Sequence, residues 1–118
     1  MTKILVIGIA GRMGKTIAAC IEDTDGVELG GGTEQGGSLN LGKDIGEVAG
    51  IGIKGVTVSD NLTTALENCN VVIDFTTPES SLQTLKVCAE QGSAVVVGTT
   101  GFSPEQREEI EQIGKTIP

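Results

Sequence analysis

Ile4-Leu5-Val6-Ile7-Gly8-Ile9-Ala10-Gly11-Arg12-Met13-Gly14 decides the fold, because an apolar run enters a glycine turn and an amphipathic segment leaves it. This is the pattern of a strand, a tight turn and a helix. The glycines permit close backbone approach, and the unpaired N–H groups at the helix start face any anion that arrives, so a phosphate or pyrophosphate is the natural guest. Met13, Ile17, Cys20 and Ile21 fall at helical spacing and predict the buried stripe of that helix, with Thr16, Ala19 and Glu22 facing elsewhere. The spacing Gly-x-x-Gly-x-x-Gly is one residue wider than the dinucleotide fingerprint, and close packing of helix on sheet would also explain Gly11 and Gly14. Context favours a nucleotide. The next apolar run, Val27 to Thr33, predicts a second strand, and it delivers Glu34 twenty residues after Gly14, where the fingerprint places an acid on the adenosine ribose.

The 118 residues suffice for one domain with its own core. No stretch approaches a membrane span, and the chain enters its first strand without a cleavable signal, which predicts a cytoplasmic protein. The formal charge of −8 argues against nucleic acid and anionic membranes as partners. It leaves a dinucleotide open, since Arg12 and Lys15 sit beside the turn. The absence of His excludes imidazole acid–base chemistry, Ser–His triads and His-ligated metal within these residues. Cys20, Cys69 and Cys88 are odd in number, widely spaced and set in apolar patterns, which predicts reduced core thiols and no metal site.

Residues 35–55 carry seven glycines and no sustained period, and they read first as a variable surface insertion. Val56-Thr57-Val58 predicts a short strand, followed by a brief helix capped by Ser59 or Asp60 with Leu62, Ala65 and Leu66 inward. Val71-Val72-Ile73-Asp74-Phe75 is a strand covered on both faces. Asp74 within it reads as structural, held by backbone N–H groups. Thr77 caps a helix with Pro78 first and Gly92 as its stop, placing Leu82, Leu85 and Ala89 inward. Ala94 to Val97 gives another strand. Ser103-Pro104-Glu105-Gln106 then opens a last helix with Ile110, Ile113 and Ile117 as its inner stripe. The order implies an α/β, Rossmann-like, doubly wound parallel sheet with helices on both faces. The turn at Gly8, Glu34, Thr76-Thr77-Pro78 and Gly98-Thr99-Thr100-Gly101 all leave strand carboxyl ends and converge on one crevice. On the residues alone, the threonines after the fourth strand read as turn caps.

Taken together, Gly8 to Gly14, Asp74-Phe75-Thr76 before a proline, and Gly98-Thr99-Thr100-Gly101-Phe102 resemble the amino-terminal domain of the 4-hydroxy-tetrahydrodipicolinate reductase (dihydrodipicolinate reductase) family. The resemblance runs over essentially the whole chain. It implies an NAD(P)-binding domain over residues 1–118, from an NADH- or NADPH-dependent oxidoreductase of the diaminopimelate route to lysine, homotetrameric when whole. Gly8, Gly11, Arg12, Met13 and Gly14 would hold the pyrophosphate and Glu34 the adenosine ribose. Phe75 and Thr76 would line the crevice, and Gly98 and Thr100 would approach the nicotinamide amide. Gln35 stands where members using NADPH often carry Arg, which predicts that NADH binds at least as well.

The family's substrate domain, with its histidine-rich motif and lysine, has no counterpart before Pro118, so the expectation is dinucleotide binding without turnover. Small-molecule substrate would engage only with that domain. Thr116-Ile117-Pro118 reads as the approach to another strand, without which Ala94 to Val97 would be an exposed edge prone to self-association. The competing reading is a non-catalytic dinucleotide-binding or redox-sensing module whose 35–55 segment orders on binding.

Overall fold

The computed structural model describes residues 2–99 and 101–115. Four parallel strands, β1 (Thr2–Ile7), β2 (Val27–Thr33), β3 (Val71–Asp74) and β4 (Ala94–Val97), form one sheet in the order β2-β1-β3-β4. The chain leaves β1 for β2 on one side and returns to β3 on the other. That reversal opens a crevice at the carboxyl ends of β1 and β3.

Alternation along β1 builds two cores. Ile4 and Val6 join Ile9, Leu29, Ile45 and Val58 under helix α1 (Arg12–Glu22) and the short α2 (Ile45–Ala49). Leu5 faces the opposite way, with Val72, Leu66 and Cys88, under α3 (Leu62–Ala65) and α4 (Pro78–Gln91). Helices therefore cover both faces, as the strand–helix alternation predicts. The glycine run in β2 serves this packing. A methyl on Gly32 would lie 3.0 Å from the Ile9 side chain, and one on Gly31 3.1 Å from the Cys69 Sγ, while the register slips at Gly30.

The α1 stripe differs from its prediction. Gly14, Ala18 and Ile21 are buried, whereas Met13 is 51% exposed and Cys20 is exposed. Ile21 is buried and Ile17 packs against the core, as predicted, but the helix lies so close to the sheet near the turn that Gly14 and Ala18 take the contact face in place of Met13 and Cys20. Of the three cysteines only Cys88 is a buried core thiol; Cys69 is half-buried.

Residues 35–55 are built into the core instead of lying on it. Ile45 is fully buried, and Leu41, Val48 and Ile51 pack beside it. The Asp44 carboxylate is the hub: it accepts from the backbone N–H groups of Gly46 (2.8 Å), Glu47 (3.2 Å), Lys54 (3.0 Å) and Gly55 (2.7 Å). These donors, Lys54 foremost, hold its carboxyl below the ordinary range. Val56-Thr57-Val58 does not become a sheet strand. Its bonds go to residues 42–45, and isolated bridges join Asp44 to Thr57 and Thr33 to Ser59. The cap of α3 is Asn61, whose side chain accepts from the Thr64 N–H, while Ser59 Oγ accepts from the Asn61 N–H.

Helix α4 starts and stops as read, with Thr77 as cap and Gly92 left-handed at φ 71°. The last helix, α5 (Pro104–Gly114), forms its capping box but buries no residue. Ile110 and Ile113 are only half-buried, because α5 lies against α4 and not on the sheet. Among the described residues β4 is an edge, with Val96 53% exposed. Ile117 and the strand predicted at Thr116-Ile117-Pro118 lie outside the described residues.

Candidate functional site

The Gly8 turn is fixed from below. Gly8 adopts φ +73°, a conformation costly for any side chain, and the N–H groups of Gly8 and Ile9 both donate to the Thr33 carbonyl, at 2.9 and 3.2 Å. Gly11 donates to the Gly8 carbonyl at 3.0 Å and opens α1. A methyl on Gly14 would collide with that same carbonyl oxygen and lie 2.9 Å from the Gly8 carbonyl carbon. Gly11 and Gly14 are thus the packing glycines of the turn. Helix α1 begins with no side-chain cap and no acid in its first turn, which leaves its leading amides for an outside acceptor.

Glu34 follows the last residue of β2, and its carboxylate reaches back to the turn. Its Oε2 lies 3.8 Å from the point where a Gly8 Cβ would stand, and the Thr76 methyl lies 3.4 Å from the same point. Burial pushes the Glu34 carboxyl above its ordinary pKa, and the Ala10 N–H offsets this by donating to it. An amide of the turn therefore already faces an anionic oxygen.

These groups border a cavity of about 410 Å³. Gly8, Glu34, Gln35, Asp60 and Thr76 form one side. Ser80, Gln83, Thr84 and Val87, one stripe of α4, form the other, with Leu62 of α3. Among the described residues that line it there is no Lys or Arg.

Beside the cavity a buried polar network fixes the ends of β3 and β4. The Thr76 N–H lies 3.0 Å from Asp74 Oδ1 and 2.9 Å from Thr99 Oγ1; the Thr76 hydroxyl donates to Asp74 Oδ1 at 2.6 Å, and the Ser81 and Thr99 hydroxyls bond at 2.7 Å. Asp74 is fully buried and structural, as expected, and its Oδ2 has no partner among the described residues. The bonds of Thr99 go to Thr76 and Ser81, across to the start of α4, and not to the turn after its own strand that a cap would hold. Burial, with the Asp74 charge adding to it, pushes the Cys88 thiol up to about 11, so it is no nucleophile. The ring of Phe75, 41% exposed, rests on Gly98, which has no room for a side chain.

Of the residues singled out in the sequence, Gly8, Glu34 and Thr76 meet at the cavity. Arg12 and Met13 stand on the exposed first turn of α1, outside its wall, and Phe75 with Gly98 forms a separate pair. Thr100 lies outside the described residues. Sequence reading missed the Ser80-Gln83-Thr84-Val87 wall, although its spacing is helical, because the stripe is mostly polar and the apolar period of α4 runs through Leu82 and Leu85. It also missed Asp60, read only as a cap.

Comparison with known proteins bears on this geometry. The family model described as dihydrodipicolinate reductase, N-terminus, matches residues 2–118. The chain is 47% identical over 118 residues to a 4-hydroxy-tetrahydrodipicolinate reductase of Geotalea uraniireducens, covering all of this chain and 44% of that protein. It thus spans less than half the length of the curated relatives it matches. Among solved structures, an amine dehydrogenase from Mycobacterium smegmatis superposes with a TM-score of 0.79 at 26% identity, over 97% of this chain and 36% of the other. A dipicolinate-bound dihydrodipicolinate reductase from Paenisporosarcina shares the fold, with a TM-score of 0.73 at 22% identity over 96% and 43% of the two chains.

Proposed function

The chain belongs to the dihydrodipicolinate reductase amino-terminal family, and from that premise we propose that its crevice binds a reduced nicotinamide dinucleotide for the reduction of a 4-hydroxy-tetrahydrodipicolinate-type substrate. The observation that carries this reading is the meeting of the Gly8 turn, the Glu34 carboxylate and Thr76 at one cavity at the strand-order reversal. In this reading the ribose hydroxyls of the adenosine half donate to Glu34. The uncapped amides of α1 then receive the pyrophosphate, with Arg12 and Met13 over it, Gly11 and Gly14 holding the turn in place and the Ala10 N–H steadying Glu34. Phe75 and Gly98, with Thr100, border the nicotinamide end. When bound, the cofactor supplies hydride; these residues bind and orient it.

Proton supply and substrate recognition fall to groups other than these. Among the described residues the cavity wall holds no His, Lys or Arg, and the one buried carboxylate, Asp74, is bonded to Thr76. Residues 1–118 are therefore expected to bind dinucleotide without turnover. Against the competing reading, a sensing module whose 35–55 segment orders on binding, stands the Asp44 carboxylate, which ties residues 44–55 together through the Lys54 and Gly55 amides.

Gln35 follows Glu34 in the wall and offers no charge-assisted fork to a 2′-phosphate. Calorimetric titration should give NADH binding at least as tight as NADPH. A clear preference for NADPH would contradict this assignment, and heat from neither would contradict dinucleotide binding itself. Calorimetry suits a chain without Trp or Tyr.

A further inference from the structure

We propose that Asp60 is a second specificity-determining carboxylate of the crevice, which disfavours a 2′-phosphorylated dinucleotide and thereby makes the site selective for the unphosphorylated ribose. The inference rests on the dinucleotide reading above. Its structural basis is a pair of backbone bonds: the Ser59 N–H donates to the Gly32 carbonyl at 3.1 Å, and the Glu34 N–H donates to the Ser59 carbonyl at 3.0 Å. This parallel bridge, Thr33 to Ser59, locks the segment before α3 against the carboxyl end of β2. Glu34 and Asp60 each follow one partner of the bridge, so one lock sets both acids at the same rim.

The side chains agree with that register. Both line the 410 Å³ cavity together with Gln35, and Asp60 Oδ2 lies 3.8 Å from the position of a Gly36 Cβ, so it faces the backbone just past Gln35. Neither acid has an ion-pair partner among the described residues, and no cation lines the wall. A ribose with free hydroxyls donates to Glu34 and makes no demand on Asp60. A 2′-phosphate brings two more negative charges and no donor, and meets repulsion from both acids. Asp60 is exposed, so its effect is screened and depends on salt.

The test is titration of the unaltered chain, Asp60→Asn and Asp60→Lys with NADH and NADPH at low and high salt, with thermal unfolding as a control. Asp60→Asn should tighten NADPH roughly fivefold at low salt, leave NADH within about twofold, and lose most of that gain at high salt, where charges farther apart than a Debye length are screened. Asp60→Lys should shift NADPH further in the same direction. An unchanged NADPH to NADH ratio in both variants overturns the role of Asp60 while leaving the dinucleotide reading intact. Equal changes for the two ligands overturn it in favour of a packing role. If neither ligand binds the folded, unaltered chain, the dinucleotide reading fails and this inference with it.

Discussion

Adding a single methyl group at Gly14 (Gly14→Ala) is expected to cost about 2–4 kcal/mol of stability, with dinucleotide binding weakened more than tenfold in whatever remains folded. Helix propensity favours Ala over Gly by about 1 kcal/mol, so the raw steric cost must exceed that gain. It does so because the methyl would meet backbone. The Gly8 carbonyl oxygen, the Gly8 carbonyl carbon at 2.9 Å and the Ile9 Cα at 3.0 Å stand in its place, and none of them can rotate aside. Relief requires lifting α1 off the turn, which pulls on the bond from the Gly11 N–H to the Gly8 carbonyl that joins the two. Gly114→Ala at the end of α5 is the control, since a methyl there meets open space and should be neutral or stabilising. Denaturant unfolding of the two variants should separate them clearly. Equal stabilities would mean that the turn is not packed as described.

Glu34→Gln should do the opposite to stability and still damage binding. Burial raises the Glu34 pKa above 4.5, so the fold disfavours the ionised form. The sign follows from linkage: above the folded pKa, ionising Glu34 in its half-covered position subtracts from stability, and the loss is relieved as pH falls through that pKa toward the unfolded value. Gln carries no charge to desolvate, so at neutral pH the melting temperature should hold or rise. Binding should fall about 10- to 100-fold, since hydrogen bonds to a charged acceptor contribute about 1.5–3 kcal/mol. NADH affinity of the unaltered chain should likewise drop as pH falls through the raised Glu34 pKa, while Glu34→Gln shows no such drop. Binding and stability falling together would instead make Glu34 a structural residue.

Much of this fold is written locally. Thr77-Pro78 and Gly92 bound α4, Ser103 and Gln106 form their capping box, and β2 ends at Thr33 with Glu34 next, because caps, stops and strand ends are short-range chemistry. Errors arose where a partner distant in sequence decides. Periodicity placed Ile21 in the core correctly, but Met13 and Cys20 wrongly, because α1 lies close enough to the sheet for Gly14 and Ala18 to take that face beside Ile21. No period marks 35–55, because its order comes from one carboxylate, Asp44, gathering amides up to eleven residues away. At the site, the glycine turn and Glu34 were legible by motif and spacing. Asp60 and the Ser80 to Val87 wall were not, since their place depends on the Thr33–Ser59 bridge and on which face α4 turns to the crevice.

The central claim is that the crevice at the carboxyl ends of β1 and β3 is the dinucleotide site. Amide chemical-shift mapping of the isotopically labelled chain during titration with NADH tests it most directly. The shifts should concentrate at Gly8 and Ala10, at Glu34 and Gln35, at Thr76, and along Ser80, Gln83 and Thr84, with the groove between α4 and α5 at Glu108 and Gln112 silent. Saturable shifts confined to that groove, or none at all in the folded chain, would contradict it.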